Sequence, residues 1–184
     1  MLDTRLLEID GLVEIRPTRF GDERGFFSQV WSAGEMARAG LELDFVQDNH
    51  SYSAARGVLR GLHYQRPPAA QHKLVRVSRG AIFDVAVDIR RGSPTFGHWA
   101  GIVLSAAEWN QLLVPEGFAH GFVTLEPETE VQYKVTAAYS PEHDREIRFD
   151  DPKIAIAWPI DRAELILSDK DRNAPFLADA ETGF

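Results

Sequence analysis

From Phe45 to Tyr139 the chain runs through FVQDNHSYS, GVLRGLHYQ, HKLVRVSRG, AIFDVAVDI, HWAGIVLS, NQLLVPEG, AHGFVTL and TEVQYKVTAAY, short segments closed by Gly, Pro, Ser or Asp. Apolar and polar residues alternate within them, the period of a half-buried strand. So many short strands at regular spacing leave few architectures, a β-sandwich or a jelly-roll barrel. We therefore expect an all-β fold in one domain over residues 1–184, because no internal repeat or low-complexity linker divides the chain. The best helical window is SAGEMARAG, with Ser32 as N-cap and Gly40 as its stop. Before it, Leu7 to Pro17 reads as a weak strand, FGDERGFF as a loop with Arg24 in its turn, and Phe26 to Trp31 as a short strand. After Tyr139 the chain becomes charged and proline-punctuated. Its tail keeps Trp158, Leu165, Ile166 and Leu167, enough apolar surface to pack back on the barrel and bring Lys170 and Asp171 to a pocket mouth.

The stretch Gln47 to Lys73 breaks the usual division between apolar strands and polar turns. His63 and Arg60 lie inside a strand pattern, with Gln47, Asp48, Asn49 and Lys73 close by. A sheet face carrying so many functional types is a ligand-binding surface. Alternation places His63 with Leu59 and Gly61, Lys73 with Val75 and Val77, and Tyr133 with Val131 and Val135. His63, Lys73 and Tyr133 then face one interior. Arg60 falls on the opposite face with Leu62 and Tyr64, and joins that interior only if a bulge near Gly57 or Gly61 shifts the register.

A net charge of −8 argues against general nucleic-acid or membrane-surface binding, each of which needs a basic excess. No Cys is present, so thiolate chemistry and disulfides are excluded. The opening MLDTRLLEID lacks the basic and apolar regions of a signal peptide, and no apolar run reaches spanning length, which leads us to expect a cytoplasmic protein.

The segment PEGFAHGF contains P-x-G-x-x-H, which resembles the second motif of the cupin barrels. In metal cupins its His joins an H-x-H pair and a Glu. Here the first motif reads His63-Tyr64-Gln65 with no nearby Glu, so two of four expected ligands are missing, and we expect a pocket without a metal. RGFFSQ, QDNHSYS, GVLRGLHYQ, KLVRV, DVAVDIRRGSPTFG, VPEGFAHGF, the Tyr133 strand, FDDP, IAWP and LSDKDR, in this order from about Phe20 to Asp171, resemble the dTDP-4-dehydrorhamnose 3,5-epimerase family.

The resemblance implies a cupin-type jelly-roll with short peripheral helices, a homodimer, no metal or coenzyme, and a dTDP-linked 4-keto-6-deoxyhexose as substrate. In such a sugar carbons 3 and 5 flank the carbonyl, and each inverts by losing a proton on one face and regaining it on the other. That chemistry asks for a base and an acid on opposite faces. His63 suits the base, since imidazole titrates nearest neutral pH. By resemblance Asp171 orients it. Tyr133 is the acid, and Lys73 stabilises the enolate oxygen. Further contacts carried by the resemblance are Arg24 and Arg60 to the pyrophosphate, Gln47, Asp48 and Asn49 to the nucleotide, and His120 and Lys170 near sugar and phosphate. Gln29 and Asp144 also map to substrate contacts, although the family usually has Glu at both positions. Three other readings compete: a mono-epimerase acting at carbon 3 or 5 alone, a metal-dependent cupin enzyme, and a non-catalytic sugar- or nucleotide-binding barrel.

Overall fold

A computed structural model describes residues 2–184. The expected strands form two facing antiparallel sheets. The six-stranded sheet has the order β1 (Leu2–Leu6), β2 (Val13–Pro17), β10 (Gln111–Val114), β7 (Lys73–Arg79), β12 (Thr129–Val135) and β5 (Gln47–Ser53). The five-stranded sheet has the order β13 (Asp144–Glu146), β6 (Leu59–Gln65), β11 (Phe118–Thr124), β8 (Ala81–Asp88) and β9 (Trp99–Ser105). Val75, Val77, Leu112 and Val131 from the first meet Ile82, Ala86, Leu104 and Phe122 from the second in one core cluster. Each of the Val, Leu, Ile and Phe side chains contributes about 1.5–3 kcal/mol when taken fully out of water.

The outer faces are covered by different parts of the chain. Helix α1 (Ala33–Arg38) and the residues after it lay Met36, Leu41, Leu43 and Phe45 against Val13, Ile15, Leu74 and Leu113 of the six-stranded sheet. The C-terminal tail covers the five-stranded sheet. Ile147, Ile154, Leu177 and Ala180 pack on Leu62, Val85 and Val87, while Phe149, Ile160, Trp158, Leu165 and Leu167 pack on Leu59 and Val123. Ile166 is half exposed and instead bridges to Val58. No described helix is long and apolar enough to cross a membrane.

Three local expectations are corrected. The strand read from Leu7 begins only at Val13, because Leu7 to Leu12 forms a turn closed by the Leu12 carbonyl accepting from Leu7 N–H at 3.0 Å. A separate strand, β1, precedes it; its residues are largely exposed, so no alternation announces it. The segment read as a loop is a hairpin of β3 (Arg19–Asp22) and β4 (Gly25–Ser28), and the strand expected from Phe26 to Trp31 ends at Ser28. The helix starts after Ser32, whose side chain makes no capping bond, and is followed by Gly40 at φ +76°.

Candidate active site

The site begins with a break in β6. Between paired positions, β11 advances two residues, from His120 to Phe122, while β6 retreats three, from His63 to Arg60. The extra residue is a bulge, and it turns side chains that strict alternation separates to the same face. Gly61 occupies it at φ +120°, and a Cβ there would lie 2.6 Å from the Gly121 Cα, so only glycine fits. Arg60 and His63 therefore both point between the sheets, whereas Leu59, Leu62 and Tyr64 join the outer clusters. The expected grouping of His63 with Leu59 and Gly61 is corrected, and the bulge near Gly61 supplies the condition under which Arg60 enters the interior.

On the facing sheet, cross-strand registers build two polar rows. Lys73 pairs with Val135, which pairs with Gln47; Val75 pairs with Tyr133, which pairs with Asn49. Opposite them His63 pairs with His120. These rows enclose a cavity of two adjoining lobes. One, of about 410 Å³, is lined by Gln47, Asn49, His63, Lys73, Tyr133, Tyr139, Asp144 and Lys170. The other, of about 280 Å³, is lined by Ser51, Arg60, His63, Lys73, His120, Tyr133, Lys170 and Asp171. The Ser51 hydroxyl is buried there with no partner among the described residues.

Two imidazole–carboxylate pairs meet this space. His63 Nε2 lies 2.7 Å from Asp171 Oδ1, which also accepts from Gly61 N–H at 3.1 Å, while Ser168 Oγ donates to Oδ2 at 2.6 Å. Asp171 is delivered by helix α2 (Asp169–Arg172), capped by the same serine. Burial pushes its pKa up, but the bonds from His63, Ser168 and Gly61 outweigh it and hold the carboxyl below its usual range. Asp171 is thus an anionic acceptor, which favours a proton on Nε2, and in the neutral ring that leaves the lone pair on Nδ1. In the second pair His120 Nε2 contacts both oxygens of the fully buried Asp84 at 2.9 and 3.0 Å.

Lys73, nearly buried, donates to the His63 carbonyl at 3.2 Å. Burial lowers its pKa to about 8, against the opposing pull of Asp144 and Asp84. Burial raises the Tyr133 phenol, with Arg60 lowering and Asp144 raising it further. At the rim Lys170 Nζ is held by Asp144 and Glu146, each at 2.7 Å; burial alone would lower its pKa, and the two carboxylates raise it above the ordinary lysine value.

Three expected site residues lie elsewhere. Asp48 points to the outer face, bonded by Lys134 Nζ at 2.7 Å, because neighbours in a strand alternate and only Gln47 and Asn49 can face inward. Arg24 sits exposed at the hairpin tip, paired with Asp22, and neither it nor Gln29 lines the cavity. Conversely, Asp84, Ser168, Tyr139, Gln65 and Gln71 belong to the site without having been singled out for it. Asp84 carried a signal, an acidic residue flanked by apolar ones within its strand; Gln65 and Gln71 act through contacts with distant backbone that no periodicity records, Ser168 through Asp171 on its own short helix, and Tyr139 by lining the cavity. Gln65, at the place of the second metal-cupin histidine, spends its amide on backbone groups. Among the described residues no three His, Asp or Glu side chains are grouped to hold a metal ion.

The chain is similar to known proteins over nearly its whole length. Residues 6–179 match the model of the family described as dTDP-4-dehydrorhamnose 3,5-epimerase. A Pseudomonas aeruginosa protein of that name is 52% identical over 176 residues, covering 95% of this chain and 96% of its own. The crystal structure of a Bacillus anthracis dTDP-4-dehydrorhamnose 3,5-epimerase with TDP and PPi bound superposes with TM-score 0.93 at 47% identity, covering 96% of this chain and 99% of its own. A Legionella pneumophila epimerase solved in complex with dTDP-4-keto-L-rhamnose superposes with TM-score 0.92 at 46% identity, over 97% of this chain and 94% of its own. With the family model matched from residue 6 to 179 and a relative of that name about half identical over nearly the whole of both chains, the chain belongs to the dTDP-4-dehydrorhamnose 3,5-epimerase family.

Proposed function

We propose that this isomerase converts dTDP-4-dehydro-6-deoxy-D-glucose to dTDP-4-dehydro-L-rhamnose with His63 as base and Tyr133 as acid. The observation that carries the reading is their placement: His63 rises from the five-stranded sheet and Tyr133 from the six-stranded sheet, so the two reach a sugar ring in the shared cavity from opposite sides. His63 Nδ1 takes the proton from carbon 5 or carbon 3, and Asp171 stabilises the imidazolium that results. The electron pair released moves onto the carbon 4 oxygen, where the Lys73 ammonium offsets the new charge in a water-poor space. Tyr133, kept protonated by the burial that raises its pKa, delivers a proton to the other face. The imidazolium and phenolate then reset by exchange with solvent.

Arg60 suits the pyrophosphate through its planar donors, with Lys170, Gln47, Asn49 and His120 completing the substrate contacts. A charged sugar nucleotide does not cross a bilayer unaided, which supports a cytoplasmic site of action. The test is incubation with the substrate in D₂O followed by NMR of the ring protons. Deuterium at both carbons 3 and 5 is expected. Incorporation at one carbon alone would make the protein a mono-epimerase, and none, with dTDP still bound, would remove the proposed chemistry.

Two incomplete surfaces support a homodimer. Hairpin β3–β4 exposes Phe20, Phe26 and Phe27 at 61%, 52% and 69%, and β5 is an unpaired sheet edge. The hairpin also leads to Arg24 and Gln29, which their own cavity does not receive. A second copy docked on the hairpin covers the phenylalanines and gives both residues a substrate to meet. Sedimentation should show a dimer and Phe27→Asp should yield monomer; a monomeric wild type overturns this assignment.

A further inference from the structure

Beyond β12 the chain has no regular structure from Thr136 to Pro141, yet it presents Tyr139 at the rim of the larger lobe. Three glutamine side chains grip this segment by its backbone. Gln71 Nε2 donates to the Ala137 carbonyl at 2.7 Å. Gln65 Nε2 donates to the Ala138 carbonyl at 3.2 Å and to the Ala69 carbonyl at 2.7 Å, while its Oε1 accepts from Ser140 N–H at 2.7 Å. Gln47 Oε1 accepts from Tyr139 N–H at 3.0 Å. Four consecutive residues are thus held by side chains from other parts of the chain.

Gln65 is the centre of this arrangement. It is buried, it uses both amide hydrogens and its oxygen, and it ties residue 69 to residues 138–140 across the cavity wall. A histidine there, as the metal-cupin motif would have it, has two ring nitrogens and cannot supply two donors and an acceptor together. The reacting groups lie deeper, so the non-reacting nucleotide end of the substrate occupies the rim that this segment shapes.

We infer that Gln65 is a positioning residue for substrate binding, acting through the 138–140 backbone to set Tyr139 at the cavity rim. The inference rests on the cavity being the dTDP-sugar site. Without Gln65 two carbonyls and one N–H lose their partner, the segment samples other positions, and its ordering is charged to binding rather than to the chemical step. Gln71, with a single bond, does the same to a lesser degree.

The experiment is calorimetric binding of dTDP, with KM and kcat for the nucleotide sugar, in Gln65→Met, Gln65→Glu and Gln71→Ala. Gln65→Met and Gln65→Glu should raise Kd and KM together by about tenfold with kcat within about threefold, and Gln71→Ala by about threefold. In a Tyr139→Ala background, Gln65→Met should add less than about twofold, because its route to the substrate is gone. A fall in kcat at constant KM, or full multiplication of the two effects, would overturn the inference. Should the Gln65 variants fail to fold, unchanged Kd and KM in Gln71→Ala would overturn it equally. Wild-type protein that binds no dTDP would instead overturn the site reading itself, whereas normal wild-type binding with unaffected variants would remove only the role of Gln65.

Discussion

His63–Asp171 and His120–Asp84 are the same pair of residue types, both bonded through Nε2, both on the five-stranded sheet side of one cavity, and they are built for different work. In the first, the carboxylate arrives from the tail, 108 residues away, and the ring keeps 33% of its surface open. In the second, both residues sit on adjacent strands, β8 and β11, with the ring 8% and the carboxylate 0% exposed. An imidazole open to the cavity with an oriented lone pair can exchange protons with a bound sugar. A nearly closed pair, whose ring reaches only the lining of the smaller lobe, instead supplies fixed polarity and rigidity, and Asp84 extends that field to Lys73, whose pKa it raises against burial. In the proposed mechanism access, more than identity, separates base from support.

The largest expected effect falls on the open pair. His63→Ala should reduce solvent exchange at carbons 3 and 5 by about 10³-fold or more while dTDP binding persists, since in the proposed mechanism it removes the general base itself. An equal loss from His120→Ala in the same NMR assay would break the distinction. Asp171→Asn keeps an acceptor for Nε2 but loses the charge that supports the imidazolium, and should cost about 10²-fold in kcat with Tm little changed.

Lys73 sharpens the comparison because it borders both pairs. Its ammonium, with a pKa lowered to about 8, is the form that offsets the enolate, so kcat/KM should fall as pH rises through that value. Lys73→Arg keeps the charge at all accessible pH and should remove this alkaline limb, at about a tenfold loss in kcat from altered geometry. A limb that survives the change belongs to another group.

The smallest kinetic effect belongs to the nearly closed pair. Asp84→Asn removes a negative charge that raises the Lys73 pKa, so the alkaline limb should move to lower pH, with kcat at neutral pH within about tenfold of wild type. Its cost should show in stability, about 2 kcal/mol for the weakened buried bond, or roughly 4–8 °C in Tm. A large kcat loss with unchanged Tm would make Asp84 a participant in proton transfer.

Much of this was legible beforehand, and the exceptions share a cause. Alternation announced the two-sheet fold and the shared interior of Lys73 and Tyr133, because period two is a property of the extended backbone itself, but it grouped His63 with Leu59, from which the bulge separates it. It could not place Arg60, since a bulge adds a residue without changing the composition around it. The run Gln47-Asp48-Asn49 looked like one binding unit, yet the strand turns its middle residue away. Gln65 looked like a missing metal ligand, and its amide proved to be committed to the nearby Ala69 carbonyl and to the distant segment 138–140.

What the amino-acid sequence determined by itself was therefore local: which segments are strands, where they turn, and which side chains have chemistry to offer. Its ordered motifs added the family. Tertiary structure alone decided which of those side chains meet. The bulge needs a glycine at position 61 because β6 and β11 pass too closely for any side chain there, and the Asp171 carboxylate reaches His63 because the tail's apolar residues dock on the barrel. Both depend on contacts between residues far apart in the chain, and local periodicity carries no information about such distances.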